Sequence, residues 1–356
     1  MGHPKVDNRT PYAFEALYVA DEEGRPVVAV IVKATYGIAR DGKLALASEQ
    51  QPVLLAGVCN GDPDVSSWRF EPEFAFVKPA TDVVLVGHAQ ARHAQTTELL
   101  VSLQVAQLKK TLLVSGDREW QSRWLGAKPS EPVPFEKIPL LWERAFGGWD
   151  RSAEDPAKHR CEPFNPVGIG FRLRGAELKE GAPLPNIEDP DDRQTSFTGR
   201  AKPIGVGFIG PNWKPRSDFA GTYDAAWDKQ RKPLLPRDFD RRFFNAAAPG
   251  LIAAGHLRGD ESVVVTNVTP SGSLKFALPA PPPPRCKLEF VHKPDETLDG
   301  VLDTVVIDAD LERVILTWRA HTLLRDGPHD VRSYLVAGSQ DPLWTRTSAR
   351  APGARK

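Results

Sequence analysis

The chain has 356 residues, 41% of them hydrophobic and 26% charged, with 46 basic side chains against 46 acidic ones. A formal charge of zero excludes the cationic excess that non-specific nucleic-acid binding or a polybasic membrane surface requires. Proline, at 33 residues, is about twice as frequent as usual, which argues against a mostly helical protein, because each interior proline removes a donor and clashes with the preceding turn.

The first residues, Met1 to Asp7, contain no apolar segment of the secretory type, and no run is long enough to span a bilayer. Cys59, Cys161 and Cys286 are odd in number and far apart, which fits neither a disulfide framework nor a zinc pattern. The expectation is a soluble cytoplasmic protein with reduced thiols.

In chain order, Phe14 to Val19 and the β-branched run Val27 to Tyr36 read as strands around the turn Asp21 to Arg25. Asp41-Gly42 is a hairpin signal before Lys43 to Leu46. Thr81 to His88, Glu98 to Leu108 and Lys110 to Val114 follow as strands. Two later hairpins occupy 261–278 and 301–319, turning at Pro270-Ser271-Gly272 and at Asp308 to Asp310. The fold class expected is mainly β: antiparallel sandwich or barrel-like sheets with long ordered loops rich in Pro, Gly and aromatics, and few short helices. One large domain spans 5–325, and a basic tail over 345–356 frays.

The middle differs. Residues 129–249 hold 16 of the 33 prolines yet are rich in Trp and Phe, so they read as ordered loops inserted between strand-rich parts, with Thr222 to Lys229 the best helix candidate. Residues 193–245 hold eleven basic and five acidic side chains, net +6, and 177–192 hold six acidic and one basic, net −5. That separation suggests surfaces complementary to a partner. Pro279 to Pro284 is a stiff connector rather than a domain boundary.

No reaction centre emerges. Gly205 to Gly210 matches a dinucleotide-binding glycine pattern, but Pro211 and Pro215 forbid the helix that such a site needs. His88 and His93 fall on opposite faces of a strand, and Asp238 and Asp240 sit among Arg237, Arg241 and Arg242, which favours ion pairs over a metal. Glu143 and Asp150 are the pair that a glycosidase would need. No metal and no cofactor is expected.

The middle region also carries a resemblance. Its segments are Leu141 to Asp150, with Trp142, Glu143, Arg144, Phe146, Gly147, Gly148 and Trp149; Asn165 to Phe171, with Pro166, Gly168 and Gly170; and Leu184-Pro185-Asn186-Ile187-Glu188. Then come Trp213-Lys214-Pro215-Arg216, Ala220 to Trp227 with Gly221, Tyr223 and Asp224, Arg231 to Asp240 with Pro236 and Asp238, and Phe243-Phe244-Asn245. Together, over roughly 15–325, these resemble a bacterial domain-of-unknown-function family encoded beside type VI secretion genes. The resemblance implies an adaptor or chaperone that binds an effector, helps load it onto the secretion spike or its tip, and performs no catalysis. The chain departs from the family pattern at Ile169, where a basic residue is usual, and at Gly250-Leu251.

An adaptor would use aromatic and arginine side chains as contact points. The expected partner-binding set is Trp142, Glu143, Arg144, Phe146, Trp149, Trp213, Arg216, Tyr223, Asp224, Trp227 and Arg231, with Arg216 and Asp224 paired. The glycines, Asn165, Pro166, Pro185, Asn186, Pro236, Asp238, Asp240 and Asn245 hold the loops. Binding through these loops, to an effector or spike component with an acidic surface, is expected to fail in Trp213→Ala or Trp227→Ala while the fold survives. The partner is expected to be neither nucleic acid nor membrane. A β-rich hydrolase with paired carboxylates is the alternative.

Overall fold

The computed structural model describes residues 4–124 and 126–344. The expected frayed tail, 345–356, lies outside the described residues. The principal strands, in chain order, are β1 (Lys5–Asn8), β2 (Ala13–Ala20), β3 (Pro26–Ile38), β4 (Asp82–Val86), β5 (Glu98–Val105), β6 (Leu108–Ser115), β7 (Trp120–Arg123), β8 (Gly126–Pro129), β9 (Ser262–Thr266), β10 (Ser273–Ala277), β11 (Pro284–Phe290), β12 (Glu296–Asp299), β13 (Val301–Asp308), β14 (Arg313–Leu323) and β15 (Val331–Gly338). The chain is mainly β, as the strand patterning predicts.

The largest sheet runs β2-β3-β14-β13-β4, antiparallel except where β13 meets β4, and the short strand Leu44–Leu46 continues the edge of β3 beyond β2. β3 lies between two neighbours and is covered on both faces, which explains its nearly unbroken β-branched run. Val28, Val30 and Val32 pack against a second sheet, β1-β15-β11-β12, through Cys286, Leu288, Phe290, Tyr334 and Val336. Farther along β3, Ala34, Tyr36 and Ile38 reach the main core.

The third sheet places Ile187–Glu188 beside β6, followed by β5, β9 and β10. Alternate residues Val101, Leu103 and Val105 of β5 and Val263 and Val265 of β9 face the main core, where Val83, Leu85 and Val305 meet them.

Two departures stand out. The sheet containing β1, β11, β12 and β15 was not read from the sequence, and β15 lies beyond residue 325. Pro284, the last residue of the proline run, is the first residue of β11, a position a strand tolerates.

Between Glu131 and Pro249 the chain forms only two- and three-residue strands, single 3-10 turns and one helix, α1 (Ala225–Gln230). Asp224 caps α1 by accepting from Trp227 N, 2.8 Å away. The helix therefore begins later than Thr222, whose N–H and hydroxyl donate to Asp238 instead. Among the described residues no helix is long and apolar enough to cross a membrane.

Candidate functional site

The proline-rich segment is attached to the sheets by aromatic side chains. Trp142 and Trp213 are 3% and 8% exposed and meet edge to face, ring centroids 5.8 Å apart, within the main core. Gly205 and Gly210 lie against them: a Cβ at either would come within 2.8 Å of an indole. The glycine pattern at 205–210 is thus a seat for two tryptophans. Phe146 is 1% exposed and packs with Phe171 and Ala201. Trp142 and Phe146 are therefore corrected from partner contacts to core residues, and Trp213 is a core residue with one edge on the cleft described below. At Gly148 the backbone is left-handed, with φ +89°, and a side chain would strike Gly168 O, 2.1 Å away.

Polar side chains perform the second attachment. Asn165, fully buried, donates to Trp142 O and Phe146 O at 2.8 and 3.0 Å. Asn186 donates to Ser115 O and Asp117, and accepts from Arg144. Asn245 donates to Ala80 O and Asp82. Pro185 O accepts from Arg118, and Pro236 packs where a side chain on Gly221 would sit. Asp240 caps the turn Arg241–Phe244 through Arg242 N. Gly147 and Gly170 pair as two-residue strands in the same loops. These side chains close backbone groups that the prolines leave without a sheet ladder.

Arg216 does not pair with Asp224. It bridges to Glu71 at 3.0 Å and donates to Phe243 O and Ile209 O. Arg231 grips the β2–β3 turn, donating to both Glu23 oxygens and to Glu22 O, and Arg241 holds Glu22. Glu143 accepts from the main chain and hydroxyl of Ser67 at 2.6 and 2.7 Å.

The net +6 of residues 193–245 is likewise used inside the molecule. Arg193, Arg200, Arg216, Arg231 and Arg241 pair with carboxylates outside that segment: Glu98 and Glu188, Glu162, Glu71, Glu23 and Glu22. Much of that excess is thus an internal fastening between the loops and the rest of the molecule.

What remains outside is small. Trp149 is 44% exposed, with the Arg151 guanidinium 5.3 Å from its ring. It borders a cleft of about 720 Å³ between the 63–68 loop and the segments carrying Gly148, Pro166, Gly168 and Trp213. Val65, exposed, also lines it. Tyr223 is exposed and meets the half-buried Trp227 edge to face at 4.7 Å, while Trp227 donates to Leu234 O. Sequence reasoning missed the 63–68 wall, whose only signal is an exposed valine between polar residues. It also missed Trp124, 99% exposed at the tip of the β7–β8 hairpin.

The carboxylates are arranged for holding loops. Burial pushes Asp150 up, but bonds from Leu173 N and from Ser152 outweigh it and keep the carboxyl below its usual range. Among the described residues, Asp21, Glu22, Glu98, Glu296 and Asp330 are likewise displaced downward, the opposite of what a general acid needs. His88 is engaged with Asp310 at 2.8 Å. Among the described residues no three His, Cys, Asp or Glu side chains converge as a metal site. Leu251 is fully buried and accepts from Val83 N through its carbonyl.

No curated protein and no solved structure gives a match. Residues 23–319 match the family model described as "Uncharacterized protein conserved in bacteria (DUF2169)". That span takes in part of the β2–β3 turn, the whole proline-rich segment and most of β14, so the chain belongs to this bacterial family.

Proposed function

We propose that this protein is a binding module of the adaptor or chaperone kind, which holds an effector and helps bring it to the spike of a type VI secretion system. The observation that carries the reading is the cleft beside Trp149. It is an exposed indole backed by an arginine, on loops fixed so thoroughly that little entropy remains to be lost on binding.

The test is co-purification of the full chain from its native host, with identification of the bound protein by mass spectrometry. Trp149→Ala combined with Val65→Asp is expected to release that protein with the thermal midpoint unchanged. Retention of the partner by the double variant overturns the cleft assignment. Failure of the wild type to hold any secreted effector or spike component overturns the adaptor reading.

A further inference from the structure

β2 is the outer strand of the largest sheet, and its eight residues pair only with β3. Consecutive residues of a strand direct their main-chain groups to opposite edges. The directions are fixed here by the bonds at the end of β3. Arg25 O accepts from Asp21 N, on the β2 side, and Pro26 O accepts from Leu324 N, on the β14 side. In the β2–β3 register, Val27, Ala29, Ile31 and Lys33 therefore bond Val19, Leu17, Glu15 and Ala13. Phe14, Ala16 and Tyr18 direct their N–H and C=O groups away from the sheet. Ala16 N–H confirms this, since it donates to the Glu15 carboxylate at 3.2 Å. Among the described residues no other hydrogen bond reaches those outward groups. Such an edge is a template for another strand.

We infer that this edge pairs with β2 of a second copy, antiparallel, with Ala16 on the two-fold axis. The sequence Phe14-Glu15-Ala16-Leu17-Tyr18 is self-complementary in that register. Phe14 faces Tyr18 of the second copy, an aromatic cross-strand pair formed twice. Glu15 faces Leu17, so the two carboxylates are staggered rather than opposed. Three outward residues on each strand exchange about six hydrogen bonds. The contact is isologous and closes as a dimer. A formal net charge of zero leaves no long-range repulsion between copies. These elements are not the ones that line the Trp149 cleft, so this inference and the adaptor reading stand or fall separately.

Light scattering across the micromolar range tests it. The mass is expected to rise from 39.2 kDa toward twice that value; a constant monomer mass overturns the inference. Ala16→Pro removes an N–H that the internal ladder does not use, so the variant is expected to stay monomeric with an unchanged melting midpoint. A persistent dimer in Ala16→Pro overturns the inference. If that variant does not fold, hydrogen exchange on the wild type decides. The amides of Phe14, Ala16 and Tyr18 are expected to slow as concentration rises, and exchange independent of concentration overturns the pairing.

Discussion

The strand-built sheets and the segment from 129 to 249 achieve order by different means. In the sheets, main-chain ladders satisfy the backbone, and alternate side chains are repeated, partly interchangeable contributions to burial. In the proline-rich segment the ladder is reduced to two- and three-residue pieces, and single side chains take its place: Asn165, Asn186 and Asn245 on carbonyls, Trp142 and Trp213 on glycines, Arg231 and Arg241 on a distant turn. The difference teaches that the residues carrying the family resemblance are chiefly the ones that fold the loops. A substitution is expected to be tolerated on an exposed strand face and costly at a loop anchor.

Trp213→Ala sharpens that contrast most. Removal of an indole from the core is expected to cost about 3–5 kcal/mol, read as a lower denaturation midpoint. Lys78→Met should be comparable, about 3–5 kcal/mol, because Asp82 would be left buried without its counter-ion and Glu71 would keep only Arg216. Asn165→Ala comes next, at about 1–3 kcal/mol, since Phe146 O loses the amide that it accepts from and Trp142 O keeps only Ala145 N. At the other end, Lys275→Thr on the exposed face of β10 is expected to change stability by less than about 0.5 kcal/mol. A cost at Lys275 equal to that at Asn165 would break the comparison.

Asp150 provides a pH-dependent version. Its folded pKa is depressed, so its contribution is fully present above the unfolded value of about 4 and is lost as pH falls through the folded one. Asp150→Asn is therefore expected to melt below the wild type at pH 7, with the gap closing in acid. A gap that widens in acid would contradict the assignment.

The sheets were legible wherever alternation met a turn signal: the hairpins over 12–48, 261–278 and 301–319 all form. β11 alternates as regularly, with Cys286, Leu288 and Phe290 buried and Arg285, Lys287 and Glu289 half-buried, but the adjoining prolines masked it. β1 and β15 are each specified by a neighbour far away in sequence, which no local pattern encodes. Within 129–249 the sequence identified the important residues but not the direction they face. A tryptophan needed for packing and one presented to solvent have the same local signature, and only the tertiary fold separates Trp213 from Trp149.

The pairing of Lys5 with Ser333 has a consequence for biosynthesis. The strand that β1 lies beside is made more than three hundred residues after it. At roughly 5–20 residues per second, that is a delay on the order of tens of seconds. For most of this interval the apolar faces of β11 and β15 do not yet exist to cover Val28, Val30 and Val32 of β3. The nascent chain therefore presents this face of β3 without its second sheet until β15 has been made.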